Sequence, residues 1–248
     1  MSWVLDNLDV IGAHLGAHLL QALPAIVLAF VLALPIAKLA GRLGVLRGGI
    51  STAAALMYAI PSLPLFIVLP IVLGTSIRSM VNVVVALTLY GLALMVPAAI
   101  DAFRSVDGDV LRAATAQGYG PAARFWAVEL PLAGPVLLAG LRVVVVSTVS
   151  LVTVGGVLGV PSLGMLFVDG FQRGITAEIL AGIVLTAVLA LALDALLVLA
   201  GRALMPWSRA GKSQGGAASA DDAADGRGAT GGSAGARASA GTAAGGPA

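Results

Sequence analysis

The sequence predicts an all-α polytopic membrane protein with about five transmembrane helices. Two features of the composition lead to this fold class: 59% of the 248 residues are hydrophobic, and only 10% are charged. A third is that the apolar residues form continuous runs, each long enough for a helix of about 20 residues across the hydrocarbon core. Barrel strands would instead show short stretches of alternating polarity. The net charge of +2 does not indicate nucleic-acid binding, and the absence of cysteine excludes disulfides.

The predicted spans follow one another with one long connection between the third and the fourth. They cover residues 19–40, 50–73, 80–101, 132–158 and 178–204. Residues 19–207 therefore make up the predicted transmembrane domain. From Ser208 onward the chain is rich in Ala, Gly and Ser, which cannot bury a core, so residues 208–248 are predicted to be a disordered tail.

The segment before the first span is predicted to lie at the membrane surface, with a short interfacial helix over residues 5–18. It begins with acidic residues and lacks the basic start of a secretory signal, so the apolar runs are expected to remain in the bilayer. His14 and His18 lie one helical turn apart, but no third ligand lies near them. We assign both to the polar face of this helix and predict no metal site.

The basic residues predict the orientation. Lys and Arg accumulate on the cytoplasmic side of membrane proteins, and here nine lie on one side of the predicted spans and two on the other. Residues 1–18 are therefore predicted to be extracytoplasmic and the C-terminal tail cytoplasmic, in the inner (cytoplasmic) membrane. The larger group is Lys38, Arg42, Arg47, Arg104, Arg112, Arg124, Arg202, Arg209 and Lys212, and the smaller is Arg78 and Arg173.

Proline interrupts the second predicted span at Pro61, Pro64 and Pro70. A helix with these residues must break or kink, and the freed carbonyls need partners. The bend is either a packing kink or part of a gate. In the second case Tyr58, Pro61, Ser62 and Pro64 are candidate pathway residues.

A second interruption follows the fourth span, where residues 155–170 are rich in glycine. Six small or helix-breaking residues fall in this stretch, which predicts a broken or re-entrant outer segment rather than a sixth span. Gly155 and Gly159 also have the spacing of a helix-contact motif, although two glycines are a weak signal in a chain with 32.

The connection 104–131 is predicted to hold two short helices joined by a glycine turn. Asp107 suits the N-cap of the first helix, and Gly118 suits a C-terminal position with positive φ. Pro121 suits the first turn of the second helix, and Pro131 is expected to start the fourth span. On residues alone, this is either an ordinary amphipathic connection or a docking element.

The spacing in this connection resembles the cytoplasmic signature of permease subunits of binding-protein-dependent ABC importers. That signature reads Glu-Ala-Ala, three residues, Gly, nine residues, Ile, one residue, Leu-Pro. Ala113 and Ala114 match the alanines, Gly118 the glycine, and Val128 stands for the isoleucine before Leu130-Pro131. The signature glutamate is replaced by Arg112, which reverses the charge at the expected docking surface.

Flanking motifs are similar to one subgroup of this family, the osmoprotectant importers for glycine betaine, carnitine or choline. They are Ile60-Pro61-Ser62-Leu63, Val106-Asp107, Gly140-Leu141-Arg142, Leu158-Gly159 and Leu163-Gly164. The outer motif departs from the subgroup at Val160-Pro161-Ser162. The resemblance covers about residues 15–205 and implies the permease fold of type I ABC importers.

The resemblance also implies the function and the partners. The chain would be the transmembrane subunit of an ATP-driven importer, not an enzyme and without a cofactor of its own. Its partners would be ABC ATPase subunits, an extracytoplasmic binding protein, a second permease subunit (a copy or a paralogue) and the lipid bilayer. The residues implied to couple to the ATPase are Asp107, Arg112, Ala113, Ala114, Gly118, Glu129, Leu130 and Pro131.

The residues also argue against two other functions, ATP binding by this chain and intramembrane proteolysis. Gly211-Lys212-Ser213 resembles the end of a phosphate loop, but Pro206 occupies the place of the required glycine and no strand precedes it, so ATP binding is assigned to the partner. An intramembrane protease would need paired carboxylates or histidines within the spans, and the predicted spans contain neither a carboxylate pair nor a histidine. Two alternatives stay open: the same architecture with another small solute, such as an amino acid, and a non-transporting membrane scaffold.

Two opposite charges lie inside the predicted spans. Arg142 is about ten residues into the fourth span and Asp194 about ten residues before the inner end of the fifth, so both lie ~15 Å from the cytoplasmic face. Because an isolated charge in hydrocarbon is costly, we predict that they pair. We interpret the pair as structural, with substrate contact as the alternative.

Overall fold

The computed structural model describes residues 2–42 and 44–209, and all regular structure in these ranges is helical. The predicted disordered tail and the rejected phosphate-loop segment lie outside the described residues, apart from the 3-10 turn Pro206–Arg209 at the start of the tail. The α-helices are α1 (Ser2–Asp6), α2 (Leu8–Arg42), α3 (Gly44–Ala59), α4 (Ser62–Leu73), α5 (Met80–Arg104), α6 (Gly108–Ala116), α7 (Pro121–Arg124), α8 (Leu130–Val157), α9 (Gly164–Arg173) and α10 (Thr176–Leu204).

Four segments in the described ranges are long and apolar enough to cross a membrane as continuous helices. They are Leu8–Gly41, Met80–Arg104, Pro121–Val157 and Thr176–Leu204. A fifth segment combines part of α3 with α4, which meet at an angle of 100°. The prediction of an all-α membrane protein with about five spans, the second of them broken, is confirmed.

Helix α5 is the centre of the bundle and packs against α2, α3, α4 and α8. Its contact with α2 is close because small residues line both surfaces. A Cβ on Gly91 would lie 2.6 Å from the Cβ of Ala29, too close for any larger residue. The facing side of α2 is a buried stripe of alanines: Ala22, Ala25, Ala29, Ala33, Ala37 and Ala40. Such small-residue surfaces allow helix backbones to approach in membranes, where van der Waals packing drives association.

The start of the chain differs from the prediction. Residues 5–18 do not form a separate interfacial helix, because α2 runs without interruption from Leu8 into the first span. His18 and Gln21 are buried rather than part of a polar surface. The side-chain amide of Gln21 donates hydrogen bonds to the carbonyls of Ala17 and Pro161, at 2.8 and 2.7 Å. Of these two residues only His18 was predicted to lie on the polar face, since Gln21 lies inside the first predicted span and has its second partner 140 residues further along the chain.

The glycine-rich stretch forms a tight turn followed by the short helix α9, as predicted for a broken segment rather than a sixth span. Gly159 has a φ of 79° and therefore ends a helix instead of forming the helix-contact motif with Gly155. A Cβ on Gly156 would lie 2.6 Å from the carbonyl carbon of Gly164, so the turn folds closely onto α8. The short helix also packs against α10.

Candidate functional site

The first helix of the predicted docking connection is fixed at both ends. The Asp107 carboxylate accepts a hydrogen bond from the backbone N–H of Asp109 at 2.8 Å, which satisfies one free donor at the start of α6. At the other end Gly118 has a φ of 91°. The N–H groups of Gly118 and Tyr119 bond to the carbonyls of Thr115 and Ala114 at 3.0 and 3.1 Å. Both predicted caps are therefore confirmed, and the second is a complete Schellman motif.

Side chains divide α6 into an attached face and an open face. Ala114 is buried, and the Arg124 guanidinium donates to the Thr115 hydroxyl at 2.9 Å, which ties α6 to α7. Ala113 is exposed, as is Arg112, which forms an ion pair with Asp109 one turn earlier. The charge that replaces the signature glutamate therefore lies on the open face, paired only locally.

Glu129 does not lie on this open face. Its carboxylate is buried and forms an ion pair with Lys38 near the inner end of α2. The Lys38 ammonium also lies 5.6 Å from the ring centroid of Phe103 and 5.4 Å from that of Phe125, within the range of cation–π attraction. We call this arrangement of Lys38, Glu129, Phe103 and Phe125 the inner lock, since it joins α2, α5 and the start of the fourth span.

From the sequence, Lys38 was interpreted only as a topological charge, and its place in the inner lock was not predicted. A signal for the pair was present. Lys38 and Glu129 lie at the inner ends of the first and fourth predicted spans, so they have equal depth and opposite charge. The same reasoning that paired Arg142 with Asp194 would have paired these two residues.

The second helix of the connection is not separate from the fourth span, which corrects the predicted start at Pro131. Helix α7 continues through a π-helical segment, Phe125–Glu129, directly into α8. The Leu130 N–H bonds to the Phe125 carbonyl, five residues back. Pro131 follows at once and has no N–H for the carbonyl four residues before it, so the wider turn lies where an α-helical bond is unavailable.

The proline bend of the second span has a defined partner. Pro61 is extended, with φ −60° and ψ 137°, and Ser62 begins α4. The Ile60 carbonyl cannot bond to Pro64, which has no N–H, and instead accepts a hydrogen bond from the Tyr90 hydroxyl at 2.6 Å. Tyr58 is exposed on the other arm and meets the Tyr90 ring edge-on, with centroids 6.1 Å apart. The structure brings the four predicted pathway candidates to one bend, while their gating role stays a prediction.

Arg142 and Asp194 form the predicted pair between α8 and α10. The guanidinium Nε donates to one carboxylate oxygen at 2.6 Å and a terminal nitrogen donates to the other at 2.7 Å. This bidentate geometry is the strong form of the arginine–carboxylate interaction. The pair is not enclosed, because the side chains are 45% and 20% exposed, respectively. The predicted contact is confirmed, but its surroundings are more open than those of a structural lock.

The exposed face of α8 around Arg142 differs from the exposed face of α10. The exposed residues of α8 here include Arg142 and Ser150 but also Val143 and Val146, and the hydroxyl of half-buried Thr153 donates to the Ser150 carbonyl at 2.6 Å. The exposed residues of α10 between positions 180 and 200 are all apolar. A charged side chain within a span borders protein or water, so Arg142 indicates that α8 borders protein or water at this position.

The candidate metal ligands are not gathered into a site. In residues 2–42 and 44–209 no group of three or more His, Asp or Glu side chains is close enough to hold a metal ion. His18 is fully buried, and its two ring nitrogens make no hydrogen bond with the described residues.

Comparison with known proteins identifies relatives along most of the chain. Residues 16–209 match the protein family described as the binding-protein-dependent transport system inner membrane component. The carnitine transport permease protein OpuCD of Listeria monocytogenes is 31% identical over 190 residues, which cover 76% of this chain and 84% of that protein. The osmoprotectant import permease protein OsmW of Salmonella typhimurium is 30% identical over 202 residues, which cover 79% and 92%.

A solved structure has the same fold. A chain of the MetNI methionine ABC transporter in an inward-facing conformation superposes with a TM-score of 0.70 and covers 79% of this chain and 97% of that one. The sequence identity is 20%, so the likeness concerns the fold. It confirms the type I importer permease fold that the sequence resemblance implied.

Proposed function

This chain belongs to the family of inner membrane components of binding-protein-dependent transport systems, as a permease subunit of an ABC importer related to osmoprotectant permeases. From that premise we propose that it imports compatible solutes such as glycine betaine, choline or carnitine, driven by ATP hydrolysis in a partner ATPase. The relatives are named for carnitine and osmoprotectant transport, which supports this solute class.

One observation carries the proposed coupling to ATP: α6 is a short helix held rigidly at both ends with its other face open. The Asp107 cap, the turn at Gly118 and the tie from Arg124 to Thr115 prevent α6 from rotating independently of α7. Force applied to its open face therefore passes through the π-helical segment into α8. An ATPase that binds this face can move the spans by changing its own shape, and ATP remains on the ATPase.

The complete transporter needs more than this chain. Five spans provide half of a pathway, so we propose a second permease subunit, either another copy or a paralogue. Two ATPase subunits would bind the α6 faces, and an extracytoplasmic binding protein would deliver the solute. The excess of basic residues around α6 supports a cytoplasmic connection, an extracytoplasmic N-terminus and a cytoplasmic C-terminus.

Cysteine labelling tests this orientation, since the chain has no cysteine of its own. Ser105 is exposed just before α6, and Ser76 is exposed at the opposite end of the bundle. In intact cells, an impermeant thiol reagent should label a Ser76→Cys variant and leave a Ser105→Cys variant unlabelled until the membrane is permeabilised. Strong labelling of the second variant without permeabilisation would contradict both the orientation and the docking role of α6.

Reconstitution tests the transport function. The permease, its ATPase captured by pull-down and the binding protein are placed in proteoliposomes with internal ATP. We expect uptake of glycine betaine, choline or carnitine and stimulation of ATP hydrolysis by the solute-loaded binding protein. Uptake of an amino acid alone would assign the chain to another solute class. ATPase binding without uptake of any solute would favour a scaffold.

A further inference from the structure

The Arg142–Asp194 pair is, we infer, a contact site for a zwitterionic solute during its passage between the spans. This inference rests on the proposed import function and assigns the chemistry that one step of it would recognise. The solute would carry a carboxylate and a quaternary ammonium group in one small molecule. Four observations support the assignment: the depth of the pair, its openness, the polar side chains of α8 near it and its overall neutrality.

The pair lies deep in the membrane. Arg142 is about 18 Å along α8 from Leu130, and Asp194 is about 15 Å before Leu204 at the end of α10, for a rise of ~1.5 Å per residue. Both are therefore near the middle of a hydrocarbon core about 30 Å thick. Neither side chain is close enough to an end of its helix to place its charge in the headgroup region.

The pair is also open, with 45% of the Arg142 side chain and 20% of the Asp194 side chain accessible. A guanidinium at this depth is costly when it faces lipid, and charged groups in spans border protein or a water-filled path. A bond made only to lock two helices would be enclosed between them. The openness of this pair leaves donor and acceptor positions that a solute can reach.

The surroundings of the pair mix polar and apolar side chains. On α8, Arg142 and Ser150 are exposed and Thr153 is half-buried, while Val143 and Val146 beside them are exposed as well. On α10, the exposed residues from 180 to 200 are all apolar, so the polar side chains near the pair come from α8. Both α4, which follows the proline bend, and α10 pack against α8.

The kind of solute follows from the two opposite charges of the pair. A zwitterion can exchange with the pair: its carboxylate takes the place of Asp194 on the guanidinium, and its ammonium group takes the place of the guanidinium beside Asp194. Every charge remains compensated during this exchange. A cation without a carboxylate can contact Asp194 only by leaving Arg142 unpaired, which is costly at this depth. The site should therefore favour glycine betaine over choline.

The test uses the complete reconstituted transporter and compares uptake of glycine betaine with uptake of choline. The Arg142→Gln, Asp194→Asn double variant removes both charges and leaves no lone charge behind, so its folded yield and melting temperature should stay near those of the wild type. Loss of charged hydrogen bonds to the solute should lower glycine betaine uptake at least about tenfold. Choline uptake should change by less than about twofold, since choline has no carboxylate for Arg142.

The matched control is the Lys38→Met, Glu129→Gln double variant, which removes the other ion pair of the fourth span. It should leave the ratio of the two uptake rates as in the wild type, whatever its effect on the total rate. If the Arg142, Asp194 double variant is poorly folded, the Arg142→Lys variant is used instead, because it keeps the charge pair but loses the bidentate hydrogen bonds. It should still lower the glycine betaine to choline ratio.

A direct binding measurement completes the test. Glycine betaine at millimolar concentration, added to the permease–ATPase complex without binding protein, should raise the melting temperature of the wild type and not of the double variant. An unchanged uptake ratio, or an equal loss of both solutes in well-folded protein, would overturn the site. A wild type that imports neither solute would instead overturn the proposed function.

Discussion

The two ion pairs of the fourth span have the same chemistry but opposite surroundings. Lys38 and Glu129 lie at the end of the bundle next to α6, where Glu129 is buried and two aromatic rings flank the ammonium. Arg142 and Asp194 lie near mid-membrane and are partly open. In the first pair the Glu129 side chain is almost fully shielded, and only the Lys38 side chain is partly exposed. In the second pair both side chains are partly exposed, at a depth where an unpaired charge is costly.

The more buried pair suits the positioning of helices, and the more exposed pair suits contact with a solute. The inner lock joins α2 and α5 to the π-helical segment that follows α7. The open pair lies further along the same helix. One helix therefore carries the proposed connection to the ATPase at its start and the proposed solute contact at its middle.

The largest expected effect is at Gly118, in the turn that ends the proposed docking helix α6. A β-branched residue with a φ of 91° costs about 1–2 kcal/mol locally and distorts the turn that orients α6. Gly118→Val should leave membrane insertion intact but abolish transport and ATPase association. The control is Gly120→Val, because Gly120 has an ordinary φ of −67° and open space around it. Wild-type transport by Gly118→Val would contradict the role of α6.

The next effect is at the inner lock. Lys38→Met leaves the buried Glu129 carboxylate without its partner, and breaking a buried pair in this way costs roughly 3–5 kcal/mol. Glu129→Gln should cost less, because Lys38 is 29% exposed and can reach water. Lys38→Arg should retain most of the stability. Melting temperatures in detergent measure all three, and an equal loss for the first two variants would mean that the lock is not enclosed.

The open pair should show a smaller effect on stability. Arg142→Ala and Asp194→Ala should each lower the melting temperature and the folded yield by less than Lys38→Met does, since solvent or a partner subunit can reach the remaining charge. The double alanine variant should recover part of the loss. Strictly additive losses would show that the two residues do not interact in the folded protein.

The smallest expected effect is at the bend of the second span. Tyr90→Phe removes the hydrogen bond to the Ile60 carbonyl, and the loss of one such bond costs about 1 kcal/mol. Tyr58→Phe keeps the ring contact with Tyr90 and serves as the control, with little change in melting temperature expected. If Tyr90→Phe alters transport more than stability, the bend takes part in gating.

The sequence was informative where a single residue type has a strong local requirement. Gly118 was predicted to have positive φ because few other residues adopt it, and the bend because proline lacks an N–H. Arg142 and Asp194 were paired because charges at equal depth in a membrane have few alternatives. These inferences need no knowledge of the tertiary packing.

The predictions failed where the structure depends on contacts between distant segments. Buried His18 was assigned to a polar surface, although it lies on an uninterrupted α2 that packs into the bundle. Glu129 was assigned to the docking surface, although a π-helical turn directs it toward Lys38. An α-helix and a π-helix differ by one residue per turn, which hydrophobic periodicity over five residues does not resolve.

The π-helical segment has a consequence for how such permeases diverge. It contains one residue more than an α-helical turn would need between α7 and α8. Deleting one residue from Phe125–Glu129 would convert the turn to α-helix and leave the helix on either side nearly in phase, because the wider turn accommodates the extra residue. The orientation of α6 relative to the fourth span would then change little. A single-codon insertion or deletion at this position can therefore leave the proposed docking face in place while it changes which side chains form the inner lock.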